Sequence, residues 1–126
     1  MEIDIIATDE APKAIGPYSQ GVRVQGFLYP SGQIALDPAT DALMDASFEE
    51  QVHRVFKNLQ GILHAAGSDF DRVVKATVYV TDLGNFQTLN GIYASYFGEH
   101  KPARTTVEVP ALPKGAAVEI DLIALA

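Results

Sequence analysis

The chain of 126 residues contains no cysteine and no tryptophan. Without cysteine it can form no disulfide, use no thiolate and build no cysteine-ligated metal site. No hydrophobic run approaches the ~18 residues of a membrane span, so we expect no membrane partner. The first residues, Met1-Glu2-Ile3-Asp4, are acidic where a signal peptide would be basic. These absences are compatible with a reducing cytoplasm, and we expect a cytoplasmic protein.

Basic residues are also scarce. Nine lysines and arginines stand against sixteen acidic residues, a net charge of −7, which would repel a phosphate backbone and disfavours nucleic acid as a partner. The glycines form neither a Walker-type nor a dinucleotide-type loop, so a nucleotide cofactor has no visible binding motif. With 48% hydrophobic and 20% charged residues, the composition is typical of one globular domain over residues 1–126.

The first half of the chain predicts a hairpin and a helix. Residues 21–29 alternate around Gln25-Gly26, which indicates two strands joined by a tight turn. Turn formers fill residues 37–46 and predict a loop. Ser47, with Glu50 three positions later, forms a capping-box pattern at the start of an amphipathic helix, and Gly67 is placed to end that helix.

The second half predicts a strand, a helix and two further strands. Residues 73–81 are rich in Val and Thr and alternate with period two, which predicts a strand. A second amphipathic helix is predicted from about Asn85 to Gly98. Strand-like runs then begin at about Arg104 and at Val118. The order favours an α+β layer, a mixed sheet covered on one face by two helices. Both faces of the last run are largely apolar from Ile120 onward, so we expect another copy of the chain to cover the face that the helices leave open.

Two residues of the last strands have the chemistry of a small-molecule site. Arg104 comes two residues after Pro102, and its guanidinium offers a rigid fork of donors that fits a carboxylate. Glu119 interrupts an apolar strand, and a carboxylate in a pocket can accept or donate a proton. Each has a simpler interpretation, as a surface arginine and as a solvated edge acid. If residues 109 and 117 faced each other, Glu119 would lie opposite about Val107, roughly 10 Å along the strands from Arg104.

The histidines and serines give weaker patterns. Glu49 and His53 share a helix face, but His64 is eleven residues further on and no third ligand has metal-site spacing. A solvated polar face is the favoured interpretation, and we expect no metal. No serine stands in a known nucleophile context.

Five segments in order resemble the RidA (YjgF) family of reactive-intermediate deaminases. They are Ala14-Ile15-Gly16-Pro17-Tyr18-Ser19-Gln20, Tyr29-Pro30-Ser31-Gly32-Gln33-Ile34, Lys75-Ala76-Thr77-Val78-Tyr79-Val80-Thr81-Asp82-Leu83, Phe86-Gln87-Thr88-Leu89-Asn90-Gly91-Ile92-Tyr93 and Pro102-Ala103-Arg104. The resemblance implies a chorismate-mutase-like fold. It also implies a homotrimer whose sheets meet around a central barrel, with sites in the clefts between subunits.

The resemblance also implies an activity and a set of residues. The activity is hydrolysis of 2-imino acids and enamines, the reactive products of pyridoxal-phosphate enzymes, to 2-oxo acids and ammonia, with no metal or cofactor. Arg104 would bind the substrate carboxylate and Glu119 would act on water. The alternative is a non-catalytic trimer that binds a small carboxylate such as a 2-oxo acid, or that serves as a protein-interaction scaffold. Pocket residues implied by the resemblance are Tyr18, Ser31, Gly32, Asn90 and Thr106, the last at a position where many members carry cysteine.

Overall fold

A computed structural model of the chain describes residues 2–126. It contains six strands and two α-helices, with short 3₁₀ turns between them. In chain order the elements are β1 Asp4–Ile6, β2 Gly21–Val24, β3 Phe27–Pro30, α1 Phe48–Ala65, β4 Val73–Val80, α2 Phe86–Phe97, β5 Ala103–Glu108 and β6 Val118–Leu125.

The strands form one sheet in the order β1-β2-β3-β6-β4-β5. Only the β4–β5 pair is parallel, so the sheet is mixed, as expected from the sequence. The hairpin of β2 and β3 is confirmed, and Gln25 and Gly26 both have positive φ as its two-residue turn requires. Strand β1 was not predicted, because three residues are too few to show alternation.

One pairing assumed from the sequence is wrong. Strands β5 and β6 are not neighbours, because β4 lies between them and pairs with both. The Val109 N–H accordingly donates to the carbonyl of Val80 on β4. Because β5 and β6 are consecutive in the chain, a hairpin was expected. The segment between them instead passes across the end of β4, which lies between the two strands in the sheet.

Helix α1 follows its sequence signals closely. The Ser47 hydroxyl accepts a hydrogen bond from the Glu50 N–H over 3.2 Å, which caps the first turn. Within the described residues the reciprocal bond from the Glu50 side chain is not formed, so only half of the expected capping box is present. Gly67 adopts a φ of 75° just beyond the helix end, the left-handed stop that glycine tolerates.

Both helices pack on the same face of the sheet, as the sequence predicts. Helix α1 buries Val52, Val55, Phe56 and Leu59 there. Leu89, Tyr93 and Phe97 do so from α2. The facing residues of the two central strands are Ala76, Val78, Val80, Val118, Ile120 and Leu122, all buried.

The opposite face of the sheet, here called the open face, is covered by no element of the described chain. It carries exposed apolar side chains from four strands: Ile5, Phe27, Tyr29, Val107 and Leu125. Ile5 is 64% exposed and Tyr29 is 41% exposed. Contiguous apolar surface of this kind is typical of a protein interface.

Candidate functional site

Arg104 lies at the edge of the sheet on β5, where helix α2 holds its side chain. Its Nη1 donates to Asn90 Oδ1 over 2.7 Å. Its Cζ stands 4.9 Å from the centroid of the Tyr93 ring and 5.4 Å from that of Phe86. Residues 86, 90 and 93 fall on one helix face because they are spaced by four and three residues. The guanidinium is therefore oriented by three side chains of α2, while part of its donor fork stays available.

The surroundings of Arg104 are partly apolar and hold two buried hydroxyls. Thr106 lies two residues along β5 on the same face, and its Oγ1 is buried without a hydrogen-bond partner among residues 2–126. The Tyr93 hydroxyl is in the same condition, and burial raises the pKa of Tyr93 against the opposing effect of the Arg104 charge. A cleft of about 310 Å³ is lined by Asn90, Tyr93 and Arg104 and also by Lys101. We call Arg104, Asn90, Tyr93, Phe86 and Thr106 the arginine site.

Glu119 lies on the central strand β6 and projects from the open face. Its carboxylate packs directly over Gly32, where a Cβ would come within 2.6 Å of Glu119 Oε2. Glycine is thus needed at position 32 for close approach rather than for an unusual φ. Burial raises the pKa of the Glu119 carboxyl, and the negative charge of Asp121 raises it further.

A cavity of about 320 Å³ adjoins Glu119, with Tyr18, Gly32, Gln33 and Lys114 among its lining residues. We call Glu119, Gly32, Tyr18 and Ser31 the glutamate site. Ser31 binds two backbone carbonyls near this site. Its hydroxyl donates to the Ser19 carbonyl over 2.6 Å, and its N–H donates to the Gln20 carbonyl. These bonds hold the loop with Tyr18 against the segment with Gly32.

The same loop is fixed from inside by the buried side chain of Gln20. Its Oε1 accepts from the Thr8 N–H over 2.6 Å, and its Nε2 donates to the carbonyls of Thr8, Ala11 and Pro12. The amide of Gln20 thus ties the loop that carries Tyr18 to the backbone of residues 8–12. Tyr18 lines the cavity beside Glu119. Sequence reasoning missed this role of Gln20, because a glutamine in a loop motif gives no sign of burial.

The two sites lie on opposite faces of the sheet. Glu119 pairs with Tyr79, which pairs with Val107, whereas Arg104 pairs with Ala76, which pairs with Leu122. Within one chain Arg104 and Glu119 are therefore about 10 Å apart across the sheet and about 10 Å along it, and their side chains point away from each other. Within one chain the two side chains therefore cannot contact the same small ligand. The residues implied by the resemblance form two clusters instead of one.

The histidines serve other contacts. His53 Nδ1 lies 2.7 Å from the Tyr96 hydroxyl, and His64 Nε2 lies 3.4 Å from Asp69 Oδ1. In the part of the chain that the structure describes, no three metal-ligating side chains come together. Among residues 2–126 there is also no helix whose length and hydropathy would suit a membrane span.

The family model described as endoribonuclease L-PSP, which represents the RidA (YjgF) proteins, matches residues 8–126. This chain belongs to the RidA family. The 2-iminobutanoate/2-iminopropanoate deaminase of Mus musculus is 48% identical over 121 residues, covering 96% of this chain and 90% of the mouse protein. A RutC family protein of Pyrococcus abyssi is 46% identical over 98% of both chains.

Solved RidA-family structures have the same fold. A Yersinia pestis protein of the conserved Rid family, described as of unknown function, superposes with a TM-score of 0.97 at 47% identity, covering 99% of this chain and 100% of the other. The family resemblance inferred from the five segments is thus confirmed, and so is the Rid-type α+β fold.

Proposed function

We propose that this RidA protein is a deaminase of 2-imino acids, which hydrolyses species such as 2-iminopropanoate, the tautomer of 2-aminoacrylate, to 2-oxo acids and ammonia. Relatives named for this activity are 46% to 48% identical over 96% of the chain. The observation that carries the proposal is the Glu119 carboxyl, held over Gly32 in a cavity with its pKa raised by burial. A raised carboxyl pKa suits a group that must accept and return a proton near neutral pH.

Arg104 is proposed to bind the substrate carboxylate. The Asn90 side chain accepts a hydrogen bond from one N–H of the guanidinium. The remaining N–H donors can form the two-point contact that a carboxylate prefers. The rings of Phe86 and Tyr93 restrict the side chain, so less entropy is lost when the ligand binds. Thr106 and Asn90 act here as wall and support rather than as reacting groups.

Glu119 is proposed to act on water at the imine carbon. It takes a proton as the water oxygen forms its bond to carbon, and the electrons of the C=N bond move to nitrogen. The same carboxyl then returns the proton to the amine of the tetrahedral intermediate. Glu119 next takes the hydroxyl proton and passes it to this amine as the C–N bond breaks. The hydroxyl oxygen becomes the carbonyl and ammonia leaves, so that one imine and one water give one 2-oxo acid and one ammonia.

The opposite orientation of the two sites implies that a complete site needs two copies of the chain. We propose that the arginine site of one copy meets the glutamate site of a neighbour in a homotrimer. The exposed apolar side chains of the open face support such an assembly. Light scattering should give about three times the 13.5 kDa mass of the chain, and a monomeric mass at micromolar concentration would reject both the assembly and the shared site.

A coupled assay tests the activity itself. A pyridoxal-phosphate enzyme generates 2-aminoacrylate or 2-iminobutanoate in situ, and the release of 2-oxo acid is followed with and without the protein. Because these compounds also hydrolyse spontaneously, the background rate is subtracted. We expect faster 2-oxo acid release with the parent chain; no acceleration over background would favour the non-catalytic carboxylate binder.

The binding-module alternative has one observation against it. A second anion in the cleft repels a bound carboxylate, and the nearby Asp121 adds to that repulsion. A hydrolase needs such a base, whereas a pure sensor of 2-oxo acids gains nothing from it. Cleavage of RNA, which the name endoribonuclease L-PSP suggests, is disfavoured by the net charge of −7.

A further inference from the structure

A short polar row lies beside Glu119 on the open face. Asp121 is two residues along β6, so its side chain leaves the sheet on the same face as that of Glu119, about 7 Å away. Tyr79 on β4 pairs directly with Glu119, but its hydroxyl donates to Asp121 Oδ2 over 3.3 Å. Tyr79 thus reaches diagonally across the pair and holds the second carboxylate next to the first.

Within the described residues, Asp121 has a tyrosine donor but no cationic partner. Within residues 2–126 the ion pairs are Arg23–Asp4 and His64–Asp69, and neither involves Asp121. The cation that shares its face, Lys75, donates to Thr105 Oγ1 over 2.8 Å instead. With no bonded cation to offset it, the negative charge of Asp121 disfavours ionisation of the neighbouring Glu119 carboxyl.

We propose that Asp121 is a positioning residue for the deaminase, whose charge, held in place by Tyr79, sets how readily Glu119 gives up its proton. This inference rests on the function proposed above for Glu119. The direction agrees with the raised pKa of the Glu119 carboxyl, of which burial is the first cause and Asp121 the second. Burial also raises the pKa of Tyr79, again with a contribution from Asp121.

Other titratable and charged groups near Glu119 also influence its charge. The loop before β2 contributes Tyr18 and Lys13, and the turn before β6 contributes Lys114. Strand β4 contributes Tyr79 and Lys75, and β3 contributes Tyr29. In the proposed trimer the Arg104 of a neighbouring copy would favour the charged form of Glu119. Asp121 would offset this effect and keep the carboxyl able to return a proton to the leaving amine.

A titration of the Glu119 carboxyl tests the proposal without relying on turnover. The ¹³C resonance of this carboxyl, identified by its loss in Glu119→Gln, is followed against pH in the assembled protein. Three variants are compared with the parent: Asp121→Asn removes the charge, Asp121→Glu keeps it, and Asp71→Asn removes a charge near the opposite end of β4. We expect the midpoint to fall in Asp121→Asn, to return most of the way in Asp121→Glu, and to stay at the parent value in Asp71→Asn.

The acidic limb of kcat/KM against pH should move in the same direction in Asp121→Asn. If that variant does not fold, Asp121→Ser removes the same charge from a smaller side chain. A midpoint that changes no more in Asp121→Asn, or in Asp121→Ser where that is used, than in Asp71→Asn would overturn the proposal. The proposed function fails differently: parental turnover in Glu119→Gln would reject the catalytic glutamate, whatever the titration shows.

Discussion

Arg104 is held in place by its own chain, since Asn90 and the two rings of α2 orient its guanidinium. Lysine at this position would keep the charge but lose the planar fork and the contact with the ring faces. We therefore expect Arg104→Lys to weaken 2-oxo acid binding at least ~10-fold, about 1.4 kcal/mol, as measured by calorimetry. Lys101→Met, which removes the other cation of the cleft, is the matched control and should bind nearly as well as the parent.

Glu119→Gln tests whether the Glu119 carboxylate is the general base of the reaction. The amide keeps the size of the side chain but cannot accept a proton, so we expect turnover to fall by ~10²-fold or more while 2-oxo acid binding is kept or strengthened. In the parent, the rate should decline as the pH falls through the raised pKa of Glu119, because the protonated carboxyl is not a base. Unchanged turnover in the variant would leave Glu119 as an edge acid and favour the binding module.

Gly32→Ala tests the close approach of the carboxylate. The added Cβ would stand 2.6 Å from Glu119 Oε2, and the tip of the glutamate is the part that can move. We expect the melting temperature to change little while turnover falls substantially, measured by thermal unfolding and the coupled assay. Parental turnover in this variant would show that the position of the carboxylate over Gly32 does not matter for the reaction.

At the residue scale, the sequence suggested candidate site residues but not their arrangement in space. The motifs pointed to Arg104, Glu119, Gly32 and Asn90, and the structure gives each a specific contact. Alternation along β5 already puts Arg104 and Val107, three residues apart, on opposite faces, but the motifs could not show that β4 lies between the strands of Arg104 and Glu119. The spacing of residues 86, 90 and 93 on α2 could have revealed the side chains around Arg104, since helix periodicity is visible in the sequence.

At the scale of elements, the local signals were sufficient for α1, α2 and the β2–β3 hairpin. Each depends on neighbours in the chain, such as the Ser47 cap, Gly67 and the Gln25-Gly26 turn. Strand β1 and the order β6-β4-β5 were not predictable in this way. They arise from pairing between residues far apart in sequence, for which local periodicity gives no information.

Helix α1 contains a glycine whose role is to let another segment approach. A Cβ at Gly61 would lie 2.6 Å from the Glu10 carbonyl oxygen, so the backbone of the N-terminal segment would have to shift. We expect Gly61→Ala to lower the free energy of unfolding by ~1–3 kcal/mol. Gly91→Ala in α2 meets nothing within 4 Å and should raise it by ~0.5–1 kcal/mol.

Denaturant unfolding of these two variants measures both changes. Both substitutions replace a helical glycine by alanine, the best helix former, so both variants gain the same helix propensity. The difference between their free energies of unfolding therefore measures the clash with Glu10. If both variants were stabilised, the packing of residue 10 against α1 would not contribute to the fold as described.

At the scale of the whole molecule, one chain holds the arginine site and the glutamate site on opposite faces of its sheet. The open face is apolar and exposed, and the arginine site lies at the sheet edge beside it. The doubly apolar last strand of the sequence predicts a neighbouring copy at this face, and our proposal of which residues each copy contributes rests on the pairing of the strands. The central claim of the account is that each active site joins Arg104 of one copy with Glu119 of another.

Mixing two inactive variants tests this claim most directly. Arg104→Ala and Glu119→Gln chains are unfolded together, refolded at equal concentration, and checked for mixed trimers by native mass spectrometry. In a cyclic trimer every mixed assembly then contains one intact site, so random mixing should restore about a quarter of the parental activity. Mixed trimers with no more activity than the separate variants would contradict the account, because they would mean that both residues of a site come from the same chain.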